Sequence, residues 1–129
     1  MLQFEISVRG CPKQRFVATT IVDGKEIEIG SAHLKKATSI SNRYSAYMRS
    51  GTLLELRRIY VDSGYRGQGI ATALLNAIVN AYGNNDIVLL VLPLASNGLN
   101  SKQLKEFYGR FGFVRTKEFQ ETMFRKADI

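Results

Sequence analysis

The chain opens in alternation. Leu2, Phe4, Ile6 and Val8 are apolar and the residues between them polar, so one face of a strand is apolar until Gly10-Cys11-Pro12 breaks it. A second strand is predicted over residues 15–22. Asp23-Gly24 then reads as a hairpin turn, because both residues tolerate positive φ. Residues 26–34 return as a third strand with Ile27 and Ile29 on one face. Residues 35–50 are polar and basic without a period, and read as a loop with a helical turn around 44–48. A fourth strand covers residues 53–61. The period then changes: Ile70, Leu74, Ala77, Ile78 and Ala81 form one stripe of a helix over residues 70–82, and Gly83-Asn84-Asn85 ends it. Residues 87–94 are an unbroken apolar run, as in a strand covered on both faces. A second helix is predicted over residues 101–109, and a closing strand pair over 111–117 and 119–125. Residues 53–94 thus make a strand–helix–strand crossover with two parallel strands. The expected architecture is a mixed sheet with helices packed on it.

Composition sets bounds on this picture. At 129 residues the chain is read as one domain, residues 1–129, able to bury a single core. No run reaches the length of a spanning helix, so no membrane association is expected. Glu5 interrupts the apolar stretch that an export signal needs. A lone cysteine, Cys11, excludes an internal disulfide and fits a reducing, cytoplasmic location. The net charge of +7 favours anionic ligands without choosing among them.

The choice is made by Val61-Asp-Ser-Gly-Tyr-Arg-Gly-Gln-Gly-Ile-Ala-Thr72, a glycine-rich turn between a strand and a helix. Glycines let the backbone approach a ligand, and unpaired N–H groups point out of the first helical turn. Arg66 adds a positive charge. Such a turn suits a phosphate or pyrophosphate. A dinucleotide fingerprint is excluded: Thr72 stands where its third glycine belongs, and the nearby acid, Asp86, precedes the next strand instead of ending it.

Arg66-Gly-Gln-Gly-Ile-Ala71 matches the pattern R-x-x-G-x-A, which resembles the acetyl-CoA-binding signature of the GNAT superfamily of N-acetyltransferases. Leu56-Arg-Arg-Ile-Tyr-Val61 is similar to the strand that leads into it. Phe107-Tyr-Gly-Arg-Phe-Gly-Phe113 resembles the family's helix-end signature, and Met123-Phe-Arg-Lys126 its last strand. The resemblance spans residues 53–126. It implies an α+β or α/β GNAT-like fold: a mixed, mostly antiparallel sheet whose parallel pair, 53–61 and 87–94, is splayed. It also implies acetyl-CoA as co-substrate. The cofactor arm would lie along Ile59, Tyr60 and Val61, bonded to the backbone of Ile59 and Val61. The pyrophosphate would sit on Gly67, Gln68, Gly69, Ile70 and Ala71, flanked by Arg66 and Thr72. Ser101 stands where the family commonly has an asparagine that holds the arm, which implies a cofactor-binding residue, with capping of the second helix as the alternative use of its hydroxyl.

Two side chains are candidates for chemistry. The spacing of Tyr108 to Gly112-Phe113 matches the family motif, which implies a phenol that gives its proton to the departing thiolate. Glu55 is an acid in an apolar strand. By alternation it shares a face with Arg57, Ile59 and Val61, and some family members carry a glutamate there, which implies a base for the attacking amine. His33, the only histidine, is an alternative base. No cluster of Cys, His or acids has metal-ligand spacing, and Cys11 has no triad context.

The reading that follows is an acetyl-CoA-dependent N-acetyltransferase acting by direct transfer. The family usually places two helices between its first two strands, and only residues 10–14 separate them here. The acceptor side is therefore expected to be open, partly covered by the basic loop, and suited to a peptide or protein amine. The alternative is a GNAT-fold module that binds CoA or a protein partner without catalysis. Nucleic-acid binding through Lys35, Lys36, Arg43 and Arg49 with Tyr44 and Tyr47 between them is disfavoured against a solvated loop. An exposed edge strand leaves a homodimer open.

Overall fold

A computed structural model of the chain describes residues 2–10, 14–37, 44, 46–50, 52–90, 101–116 and 122–128. The alternating segments form β1 (Glu5–Arg9), β2 (Arg15–Val22), β3 (Lys25–Lys36), β4 (Leu53–Val61), β5 (Asp86–Leu90), β6 (Val114–Arg115) and β7 (Thr122–Arg125), and the helical periods form α1 (Ile70–Tyr82) and α2 (Ser101–Gly109). The strands make one sheet in the order β1-β2-β3-β4-β5-β7-β6. Every pair is antiparallel except β4 with β5. This is the expected mixed, mostly antiparallel sheet, with β4–α1–β5 as its crossover. Asp23 (φ 52°) and Gly24 (φ 77°) both take positive φ at the β2–β3 hairpin, the turn geometry whose twist matches the flanking strands.

Several boundaries differ from the sequence reading. β1 starts at Glu5, although Leu2 and Phe4 still pack on the core. β3 runs two residues into the expected loop because Lys35 and Lys36 pair with Glu55 and Leu54. Phe111 is not in a strand: its N–H bonds back to the Tyr108 carbonyl, in the turn that follows α2. The expected strand positions 91–94, 117 and 119–121, the loop positions 38–43, and Cys11 lie outside the described residues.

The main core lies between the sheet and α1. Ile70, Leu74, Leu75 and Ile78 are buried from α1, against Phe16, Ile29, Leu56 and Leu89 of the strands. The buried stripe is rotated from the expected one: Leu75 replaces Ala81, which is exposed, while Ala77 is half-buried. A leucine removes more apolar area from water than an alanine, at about 25 cal/mol per Å². Gly83 also departs from expectation. It stays right-handed (φ −62°), and a Cβ there would meet the Val79 carbonyl at 2.5 Å. Its role is close packing, and its own carbonyl accepts the Asp128 N–H at 2.8 Å.

The other face of the sheet carries a second cluster of Ala37, Tyr44, Leu53, Val88 and Phe124. Tyr44 stacks on Phe124 with ring centroids 5.9 Å apart, and Tyr47 tilts against the same ring at 5.7 Å. Both tyrosine rings thus pack on Phe124.

Candidate active site

The site begins with a flaw in β4. His33 pairs with Arg58, but the next residue, Leu34, pairs with Leu56. Arg57 is therefore an extra residue, a β-bulge, and side-chain parity reverses across it. Leu54 and Leu56 before the bulge, and Ile59 and Val61 after it, all join the core on the helix side. Glu55 falls on the opposite side, across from Lys35 and Val88. The expectation that Glu55 shares a face with Ile59 and Val61 is thus overturned, because simple alternation does not survive an inserted residue.

Past the bulge, β4 has a free edge among the described residues. Its pairing with β5 ends at Leu56 and Leu89. Asp62 N–H donates to the Ile29 carbonyl at 2.9 Å. Backbone groups alternate sides, so the amides of Ile59 and Val61 face away from β3, toward the parting strands. The Val61 carbonyl accepts the Arg66 Nε–H at 3.2 Å, so the half-buried guanidinium folds against the end of its own strand.

The turn between β4 and α1 is built around two left-handed glycines, Gly67 (φ 77°) and Gly69 (φ 83°), with open space where either Cβ would stand. Gly69 is the N-cap of α1, and no side chain caps it. The first intrahelical bond is Ala73 N–H to the Gly69 carbonyl at 3.0 Å, which leaves the N–H groups of Ile70, Ala71 and Thr72 without a partner in the helix. With no acid in the first turn, the positive end of the helix dipole is unopposed. The turn thus presents the unpaired N–H groups and the positive dipole end that the sequence led one to expect there.

A cavity of about 290 Å³ joins that turn to α2. Arg66, Gly67, Gly69, Ile70, Ala71 and Thr72 line one end, Ile59 and Val61 the β4 side, and Leu104, Phe107 and Tyr108 the other end. Tyr60 and Gln68 do not line it. Tyr60 alternates with its cavity-facing neighbours, Gln68 is exposed, and Ser101 opens α2 with its side chain outside the description. Tyr65, Leu104 and Phe107 were not singled out from sequence. Leu104 could have been found from its i, i+4 spacing to Tyr108, and Phe107 from its i, i+3 spacing to Leu104.

Tyr108 is buried, and burial pushes its phenol up to about 12. Phe107 and Phe113 meet its ring edge-on at 5.4 and 6.0 Å. Its carbonyl accepts the N–H groups of Phe111 (3.0 Å) and Phe113 (3.4 Å). That tight return passes through Gly112 (φ 94°), where a Cβ would stand 3.3 Å from Arg125 Nε. The motif glycine is required both for its backbone angle and for the arginine behind it.

Glu55 is on the opposite face. Its side chain is 31% exposed, and its carboxylate stands 3.8 Å from Arg57 Nε in a loose ion pair. His33 is exposed, across from Arg15 and Arg58. Tyr108 and Glu55 thus flank the sheet near the end of the β4–β5 pairing. Among the described residues no group of His, Cys, Asp or Glu could hold a metal ion, and no described helix is long and apolar enough to cross a membrane.

Two buried charges support the site. Asp86 is fully buried. It accepts from the N–H groups of Arg49, Ser50 (2.7 Å) and Ala127 (2.9 Å) and from the Ser50 hydroxyl (2.8 Å). Burial alone would raise its pKa, but those donors outweigh it and hold the carboxyl below its ordinary value. Arg125, also buried, donates to the carbonyls of Phe111 and Gly83 and to Asp128. Neither role was legible from spacing.

The family model described as Acetyltransferase (GNAT) domain matches residues 14–115. A search of curated proteins finds no match. Among solved structures, Arabidopsis thaliana NAA60 in complex with a bisubstrate analogue aligns with TM-score 0.63 and 21% identity, over 85% of this chain and 72% of that one. Ard1 from Thermoplasma volcanium aligns with TM-score 0.62 and 20% identity, over 92% and 73%. A histone acetyltransferase HPA2 and related acetyltransferase from Corynebacterium glutamicum aligns with TM-score 0.59 and 18% identity, over 89% and 65%, so this chain spans just under two thirds of that structure. At these identities the likeness is one of fold.

Proposed function

The chain belongs to the GNAT acetyltransferase domain family, and on that premise we propose that it transfers the acetyl group of acetyl-CoA directly to an amine. The observation that carries this reading is the single cavity that runs from the uncapped start of α1, along the outward amides of Ile59 and Val61, to the buried phenol of Tyr108. A diphosphate fits the first end, and a thioester the last.

The amine nitrogen attacks the thioester carbon, the C–S bond breaks, and the electron pair leaves on sulfur. N–H groups of β4 polarise the carbonyl as charge grows on its oxygen. With its pKa near 12, Tyr108 is protonated throughout the neutral range and donates a hydrogen bond to the leaving sulfur. Complete transfer to a thiolate of ordinary pKa ~8.5 is uphill by roughly 5 kcal/mol. The apolar walls narrow that gap by raising the sulfur's own proton affinity. Glu55 accepts the proton released by the amine, directly or through a water, from the far face of the sheet, where β4 and β5 part. Tyr60 and Gln68 stay at the margin of the cofactor path. That NAA60 was captured with a bisubstrate analogue, and a related Naa50 with CoA joined to a peptide, supports a peptide amine as acceptor.

The test is calorimetry with acetyl-CoA, followed by thiol release over a panel of peptides and small amines. Micromolar binding with thiol release on at least one acceptor is expected. Absence of binding would sink the reading, and binding without release on every acceptor would favour a CoA-binding module instead.

A further inference from the structure

The face of the sheet that carries Glu55 has an unusual charge pattern. The register aligns Arg9 with Arg15, Arg15 with His33, and His33 with Arg58, so that four strands place basic residues in one cross-strand row. Like charges directly opposite one another destabilise a sheet. Such a row is not expected of a surface that serves stability alone. Arg9 and Arg15 are partly neutralised by Glu26 and Glu28. His33, Lys35 and Arg57 remain exposed, and Lys35 and Arg57 flank Glu55, the first across the strand and the second along it. The cavity end of the site shows no such pattern: among the described residues that line it, Arg66 is the one charged side chain.

We propose that this face receives an acidic peptide segment whose amine is the acetyl acceptor. The inference rests on the acetyltransferase reading and adds the class of its acceptor. With the coenzyme on the helix side, the amine comes to Glu55 from the opposite side, across the Arg9–Arg15–His33 row and between Lys35 and Arg57. Carboxylates near the amine then meet the cations Arg9, Arg15, Lys35 and Arg57, and relieve the repulsion between Arg9 and Arg15, which stand directly opposite one another. A basic acceptor would meet repulsion at each of these positions. An extended peptide suits a sheet face better than a duplex or a stacked strand, since Tyr44 and Tyr47 are taken up by Phe124.

The experiment uses the whole chain with CoA present and three fluorescent peptide sets with free amines, acidic, neutral or basic in the positions after the amine. Anisotropy reads binding, and thiol release reads transfer. Acidic peptides are expected to bind about tenfold tighter than neutral ones, and the advantage to shrink as salt rises. Arg9→Gln and Lys35→Gln, both at exposed positions, should each lower the preference for acidic over neutral peptides by several-fold in the anisotropy measurement. Equal binding of all three sets, preference for the basic set, or displacement of acidic peptide by a lower concentration of single-stranded oligonucleotide would overturn the proposal. The two readings fail separately. Acidic peptides that bind but are never acetylated would remove the enzymatic role and keep this surface. Acetylation without charge preference would do the reverse.

Discussion

Arg125 Nε donates to the carbonyl of Phe111 at 2.7 Å, three residues beyond Tyr108 in the chain. The same guanidinium reaches the Gly83 carbonyl at the end of α1 (3.4 Å) and the Asp128 carboxylate (2.8 Å). One buried side chain from β7 therefore ties together the end of α1, the turn that presents Tyr108, and the segment after β7.

Arg125→Met should take a donor from the Phe111 carbonyl, leave the Gly83 carbonyl with only the Asp128 N–H, and lower stability by about 2–4 kcal/mol. Urea denaturation of the two proteins measures this. Arg125→Lys keeps the charge but not the planar fork, and should recover only part of the loss.

Tyr108→Phe should reduce turnover by about a hundredfold or more and leave acetyl-CoA affinity nearly unchanged by calorimetry. Unchanged turnover would remove the tyrosine from the chemistry. The pH dependence has a definite sign. A phenol raised to about 12 by burial contributes stability that is present below about 10, the unfolded value, and lost as pH rises through the folded one. Alkaline unfolding should therefore be delayed in the Phe variant, and one tyrosine of the native chain should ionise late in an absorbance titration.

Gly69→Ala meets no steric obstacle, since no atom lies within 4 Å of the added Cβ. Its cost to the fold should be only that of a left-handed alanine, about 1–2 kcal/mol. The methyl group would project from the turn that receives the anion, and acetyl-CoA affinity should drop by about tenfold or more. A loss of stability without a loss of affinity would show that the turn does not hold the coenzyme.

Asp86→Asn places an N–H₂ group among backbone N–H donors. At neutral pH it should cost about 3 kcal/mol, the range for hydrogen bonds to a buried charge. Because the native carboxyl is held below its ordinary value of 3.8, its contribution is present above that value and lost as pH falls through the lowered one. The gap between wild type and Asn variant, followed by urea denaturation from pH 7 to pH 2, should narrow only at the acid end.

Much of the fold was legible. The bounds of α1 and α2, and of β2 and β4, follow the change of period from two to 3.6 and the turn residues between them. The anion turn was legible because glycine spacing and a missing cap are local properties. What failed was non-local. Alternation gave Glu55 the wrong face because the bulge at Arg57 is defined only by the partner strand. The packing of Tyr44 and Tyr47 depends on Phe124, some eighty positions away. Asp86 read as an unremarkable acid before a strand, since its donors come from residues 49–50 and 127. Arg125 bonds mainly to carbonyls, and backbone acceptors leave no trace in the identity of their residues.

The extra residue at position 57 also solves a problem of counting. β4 turns four aliphatic residues to the helix side, at 54, 56, 59 and 61, two on even positions and two on odd, and an uninterrupted ribbon could turn only one such couple inward. Deleting Arg57 would swing either Leu54 and Leu56 or Ile59 and Val61 out to the far surface, so the chain could keep its hydrophobic interior or the strand wall of its cavity, but not both. That one irregularity lets a nine-residue segment seal the interior with its first half and wall the cavity with its second.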